Sequence, residues 1–357
     1  MTKIGRWVVD GHIHSGKKDA HAPHANPDHG IFAEVIPDDS SAWALFDMDA
    51  YGIDMGILLP SFTGTTKELY GDMVRKYPTR FRSCVMDTTQ RIKAARGEAE
   101  WTIGAAIKEI DDAVTENPGI YVGIGEFAPG SMGTMRKPPS YQQRCEEWAA
   151  IAELAIKHDL VVHFHEYRGW GAMMMGIRPS EAFDVLGMTC SRYPELKVLI
   201  NHGGGQAENE VREAVQFASS FNNVYLETGY WKAEFYEMAI HDQNVTCKRL
   251  IWGGGDTGSR IWMHHALRPA AKYLNEHQVF YNRTTWPDDN SPRELPYAPD
   301  WYGWATHQIH RLKDMNLATQ DQINLIVGGN AARIYNLPTP MPIDEMFAHG
   351  RPDLYIR

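Results

Sequence analysis

The sequence predicts an α/β protein, a (β/α)8 TIM barrel with a long insertion after its eighth strand, and three observations carry that expectation. Eight short apolar runs, at 7–9, 53–59, 81–86, 120–125, 160–164, 197–201, 224–227 and 250–253, have the length and the Val, Ile and Leu content of buried strands. Between most of them lie longer segments with apolar residues at helical spacing, such as 101–117, 141–158, 180–193 and 206–221. Strands that alternate with helices pair in parallel, and eight such units close a barrel. A doubly wound open sheet is the second choice, but no GxGxxG follows the first strand.

Composition bounds the function. The 357 residues, 43% of them hydrophobic, suffice for one barrel domain spanning 1–357. The net charge of -10 argues against nucleic acid and against an anionic membrane surface as partners. It leaves room for a small anionic substrate, because a local cation overrides the global field. The four cysteines, Cys84, Cys145, Cys190 and Cys247, are far apart and form no CxxC pair, so reduced thiols and a cytoplasmic location are expected. Only a very short apolar run follows Lys3 and Arg6 before Asp10, so no secretory signal is expected. No apolar stretch approaches the roughly 20 residues that a membrane span needs.

In chain order, the first strand ends in His12 and His14, within Asp10-Gly11-His12-Ile13-His14. Side chains at i and i+2 of a strand share a face, so His12 and His14 project together. Residues 15–41 read as a long loop, with His21, His24 and His29 solvated among prolines. Tyr77-Pro78, Asn117-Pro118 and Tyr193-Pro194 stop helices. Strand 4 ends at Glu126, and strand 5 reads Val161-Val162-His163-Phe164-His165, followed by Arg168 and Trp170. Strand 6 ends at Asn201-His202, and strand 8 runs Ile251-Trp252-Gly253-Gly254-Gly255-Asp256. Residues 258–306, rich in Trp, Tyr and Pro, read as a cap or an oligomer arm, and 307–337 as closing helices.

In a barrel the C-terminal strand ends converge on one mouth, where active sites are built. His12, His14, His165, His202 and Asp256 should meet there. Any one of these histidines could be a satisfied buried imidazole. Five such residues at corresponding strand ends favour a site for a borderline divalent ion. His163 shares a face with His165 but lies farther from the mouth, so His165 is the expected ligand and His163 a packed residue one layer down. Glu126 is expected to orient a ligand histidine from behind. Arg168 is placed to meet a substrate carboxylate bidentately, the alternative being a solvated loop arginine, and Trp170 to wall a flat ring or to pack the loop.

The set His12-x-His14, His165, His202 and Asp256 resembles the amidohydrolase superfamily, and within it the amidohydrolase-related branch that contains aminocarboxymuconate-semialdehyde decarboxylase. The tail Ile326-Val327-Gly328-Gly329-Asn330-Ala331-Ala332-Arg333-Ile334-Tyr335 is similar to that branch's closing helix, and the resemblance runs from residue 10 to about 337. It implies one divalent metal, zinc with manganese as the alternative, held by His12, His14, His165 and Asp256. His202 would stand beside the ion as a proton carrier, and Asp256 would also serve catalysis. In other branches a strand-4 residue bridges two metals, which is the second role open to Glu126. The implied reaction is decarboxylation of an aromatic or unsaturated carboxylic acid. The same residues would also serve hydrolysis of a lactone, ester, amide or activated C–C bond. A metal-free binding protein on the same barrel is disfavoured by the intact ligand set. The expected partners are a small-molecule carboxylate and a second copy of the chain. Many relatives carry an aromatic residue and a proline after the strand-8 aspartate, whereas Thr257-Gly258 stands here, and 258–306 is longer than the branch suggests. Both departures bear on the substrate rather than on the metal.

Overall fold

The strand order in the sheet follows the chain order, β1 through β8, and each strand pairs in parallel with the next. The structure, a computed structural model, describes residues 3–14, 41–60, 67–95, 97–126, 139–165, 181–205, 208–254 and 301–340. The strands are β1 (Val9–Ile13), β2 (Met55–Leu58), β3 (Phe81–Val85), β4 (Tyr121–Ile124), β5 (Val161–His165), β6 (Lys197–Asn201), β7 (Val224–Glu227) and β8 (Leu250–Ile251). A hydrogen bond from the Gly11 N–H to the Trp252 carbonyl, 2.9 Å, joins the two ends of the sheet. The expected (β/α)8 barrel is the fold observed.

Helices follow the strands: α1 (Ser41–Tyr51), α2 (Lys67–Lys76), α3 (Thr88–Ala95), α4 (Ile103–Glu116), α5 (Tyr141–Lys157), α6 (Ala182–Arg192), α7 (Glu208–Ser220) and α8 (Ala233–His241). After β8 come α9 (Trp301–Asp314), α10 (Gln320–Asn324), a π turn (Leu325–Gly329) and α11 (Asn330–Ile334). Local chemistry sets several of these starts. Ser140 and Gln143 form a capping box at α5, and Thr319 and Gln322 form one at α10.

Two apolar layers divide the strand residues. Val8, Ile13, Leu58, Phe81, Val85, Val162, Phe164 and Ile200 pack outward against helix residues such as Trp148, Ile151 and Leu186. Val9, Met55, Ile57, Cys84, Val161, Leu199 and Ile251 fill the barrel interior with Ala331 and Tyr335. Val8 and Ile13 both face outward although they are five residues apart, which a regular strand forbids. The register of β1 against β2 shifts between Asp10 and Ile13 and resets the alternation. That shift turns His12 and His14 inward.

Several boundaries differ from expectation. The first strand is Val9–Ile13: it ends at the paired histidines as expected, but starts at Val9 rather than at Trp7. The preceding turn is instead tied to Asp54, whose carboxylate accepts from the Val8 N–H at 2.7 Å. The eighth strand stops at Ile251 rather than at residue 253, since the Trp252 N–H donates to the Ile326 carbonyl and the Trp252 carbonyl accepts from Gly11. Helix α9 begins at Trp301, inside the stretch read as an insertion to 306. Residues 15–40 and 255–300, and with them Asp256, lie outside the described residues, as do Arg168 and Trp170. Among the described residues, no helix is long and apolar enough to cross a membrane.

Gly11 sits at the seam of the barrel. A Cβ there would stand 2.7 Å from Ile251 Cγ2 and 3.1 Å from the Trp252 carbonyl oxygen. Gly11→Ala is therefore expected to cost about 1–3 kcal/mol by overpacking. Urea denaturation checks this; an unchanged midpoint would contradict the seam as drawn.

Candidate metal centre

At the carboxyl ends of β1, β4, β5 and β6, four imidazoles and one carboxylate share a small, largely buried space. His12 is fully buried, while the side chains of His14 and His165 keep 14% and 11% of their exposure toward the mouth. The Nε2 atoms of His12 and His14 are 3.1 Å apart. Glu126 reaches into the same space. Its Oε2 is 2.9 Å from His14 Nε2, and its Oε1 is 3.1, 3.5 and 3.7 Å from Nε2 of His165, His12 and His202.

The tautomers follow from what lies behind the rings. His14 Nδ1 donates to the Leu59 carbonyl at 2.7 Å, so its Nε2 presents a lone pair inward. His12 Nδ1 donates to Glu227 Oε2 at 3.2 Å, with the same consequence. Burial above all holds the His12 pKa well below 6.5, and burial pushes His165 down to about 3, so both rings are neutral. Glu126 is also buried, which by itself would raise its pKa. The nearby imidazoles, His14 first and then His165, outweigh that and hold it well below the usual carboxylate range.

Neutral imidazole lone pairs and an ionised carboxylate thus face one another. Two acceptors at such distances repel unless a positive charge stands between them. Four donors bound tetrahedrally at about 2.0–2.1 Å from one zinc ion lie roughly 3.3 Å from one another. The separations of Glu126 from the four rings and of His12 from His14, 2.9–3.7 Å, fit that spacing. The residues present therefore fit one divalent ion. Among the described residues three groups could hold an ion: His12, His14 and Glu126; Glu126, His165 and His202; and, on the Nδ1 side of the rings, His12, His202 and Glu227.

His202 closes the site on one side. Its ring stacks on His12, with centroids 4.7 Å apart and planes 30° from parallel. Its backbone is left-handed at φ 59°, a strained conformation for a non-glycine residue. Trp231 Nε1 donates to its carbonyl at 3.1 Å, and its own N–H donates to Glu227 Oε2 at 2.7 Å.

His163 lies one layer below. Its Nδ1 is 2.9 Å from Asn201 Oδ1 and its Nε2 2.9 Å from the Tyr335 hydroxyl, so both nitrogens are engaged away from the cluster. Cys84 is also interior. Burial, and then Glu126, push its thiol well up, which keeps it protonated.

The structure brings His12, His14, His165 and His202 together as the strand ends suggest. Glu126 stands on the Nε2 side of the rings, among the donors, rather than behind them as expected. The carboxylate that does stand behind the rings is Glu227. Its signal in the sequence is a charged residue ending the buried β7.

An eight-stranded parallel barrel with imidazoles and carboxylates clustered at the carboxyl ends of its strands has the architecture of a barrel enzyme. The sequence profile of the amidohydrolase family matches residues 9–337, and the chain belongs to this family. No curated protein matches it. Among solved structures, an amidohydrolase from Burkholderia multivorans with bound HEPES superposes with a TM-score of 0.55 at 12% identity, over 93% of this chain and 100% of that one. A second crystal form of an amidohydrolase from that organism, with zinc bound, gives a TM-score of 0.52 at 13% identity over 93% and 100%. A probable 2-pyrone-4,6-dicarboxylic acid hydrolase from Acinetobacter baumannii, with citric acid bound, gives 0.54 at 12% identity over 92% and 99%. At these identities the likeness is one of fold.

The buried histidines set a pH dependence of stability. Burial pushes His163 down to about 4 and His165 to about 3, whereas in the unfolded chain both titrate near 6.5. Below about pH 6.5 the unfolded state therefore binds more protons, so stability falls as pH drops toward 4 and is level above 6.5. The depressed Glu126 carboxyl acts in the same direction at lower pH. Urea midpoints of metal-free protein between pH 4 and 8 should show this slope. A midpoint that rises on acidification would contradict the neutral, buried rings.

Proposed function

We propose that the protein is a metal-dependent carboxy-lyase that removes CO2 from an aromatic or unsaturated carboxylic acid. The observation that carries this is the gathering of His12, His14 and His165 around the Glu126 carboxylate, with His202 stacked on His12. Bound there, a divalent ion, zinc before manganese, supplies Lewis-acid polarisation of a substrate oxygen. Asp256 belongs with these ligands in this proposal. Arg168 would hold a substrate carboxylate, and Trp170 would flank its flat ring.

The protein's own part is proton transfer. His202 holds a proton at Nε2 and gives it to the substrate carbon as the C–CO2 bond breaks. The electron pair of that bond ends in the new C–H bond, and CO2 leaves neutral. The Glu227 carboxylate, 3.4 Å from His202 Nδ1, compensates the charge while both ring nitrogens are protonated.

Hydrolysis is the second reading, and the Acinetobacter neighbour favours it, since a pyrone is an unsaturated lactone. In that case His202 takes a proton from water and returns it to the leaving oxygen.

Assaying CO2 release from zinc-loaded protein, with hydroxybenzoates and unsaturated dicarboxylic acids, separates the two. CO2 is expected, with His202→Ala slower by on the order of 100- to 10,000-fold. Cleavage of lactone or ester analogues without CO2 would replace the lyase with the hydrolase.

A further inference from the structure

Glu227 is fully buried at the end of β7, and one of its oxygens does three things. Oε2 accepts from the His202 backbone N–H at 2.7 Å, lies 3.2 Å from His12 Nδ1, and lies 3.4 Å from His202 Nδ1. His12 and His202 stack, so the two Nδ1 edges turn to that oxygen and the two Nε2 edges turn to the donor cluster. We infer that Glu227 is a positioning residue that couples ion binding to proton transfer: one carboxylate fixes the tautomer of a metal ligand and the placement of the acid–base histidine together.

The surroundings are built to seat it. A Cβ at Gly253 would lie 1.9 Å from Glu227 Oε1, and one at Gly229 would lie 2.8 Å from the same atom. Two neighbouring strand ends therefore carry no side chain where the carboxylate rests. The bond to the His202 N–H also holds that residue in its left-handed conformation, which sets the direction of its ring. His14 differs, since its Nδ1 is held by the Leu59 backbone and does not depend on Glu227. Loss of Glu227 should thus weaken the centre without emptying it.

The coupling rests on the metal reading above but not on which reaction is catalysed, so zinc binding is its test. Protein stripped with chelator is titrated with zinc against a chromophoric competitor. Glu227→Gln keeps the shape but loses the charge and one acceptor. It should bind zinc about 10- to 100-fold more weakly, the usual effect of losing a group that orients a metal ligand. At saturating zinc its kcat should fall while KM moves less than about twofold, because Glu227 touches no substrate. In cobalt-substituted protein its visible band should shift from that of the native chain. Gly253→Ala, which displaces the carboxylate, should change zinc affinity in the same direction. Should Glu227→Ala fail to fold, Glu227→Gln still decides. Native zinc affinity and a native cobalt spectrum in Glu227→Gln would overturn the coupling. Native protein that holds no zinc would instead overturn the metal reading itself.

Discussion

Acceptors that face one another at 2.9–3.1 Å are the constraint around which this barrel mouth is built. His14 Nδ1 is committed to a backbone carbonyl and His12 Nδ1 to a carboxylate, so the inward nitrogens of both rings carry lone pairs. Those nitrogens lie 3.1 Å from each other, and Glu126 brings an ionised oxygen to 2.9 Å from one of them. A proton relieves one such contact at a time. A divalent ion relieves all of them together, which is why the donor set reads as a metal centre rather than as a hydrogen-bonded core.

The rest of the fold serves that constraint. Closure of the sheet by the Gly11–Trp252 bond brings β1 beside β8, and the register shift within β1 turns both of its histidines inward. Interior apolar residues from β1, β2, β3, β5, β6 and β8 fill the floor. His163, capped by Asn201 and Tyr335, forms a polar layer between floor and mouth. Burial keeps the rings neutral, which is the protonation state that ligation requires. Glu227, with glycines giving it room, stands where it can answer for ring orientation.

Much of this was legible in the sequence because strand ends in a barrel have a common destination. Eight apolar runs gave the architecture, and histidines at the ends of three of them gave the cluster. Less legible was which side of a ring a carboxylate takes. Glu126 ends its strand with the same signature whether it ligates or supports, and only the distances to four Nε2 atoms decide. Glu227 is not legible in the sequence, because a single acidic residue after an apolar run has no spacing partner. Its role depends on β6 and β1, which lie 25 and 215 residues away in the chain. The start of β1 is less legible, because Trp7 and Val8 are as apolar as the strand while pairing with β2 begins at Val9.

Family membership indicates an enzyme, while the chemistry turns on the centre. Its composition is the central claim, and X-ray absorption of zinc-loaded protein tests it most directly. The edge and scattering shell should show nitrogen and oxygen at about 2.0–2.1 Å, with the outer-shell signature of several imidazoles. A shell containing sulfur at about 2.3 Å, or one without imidazole scattering, would contradict it.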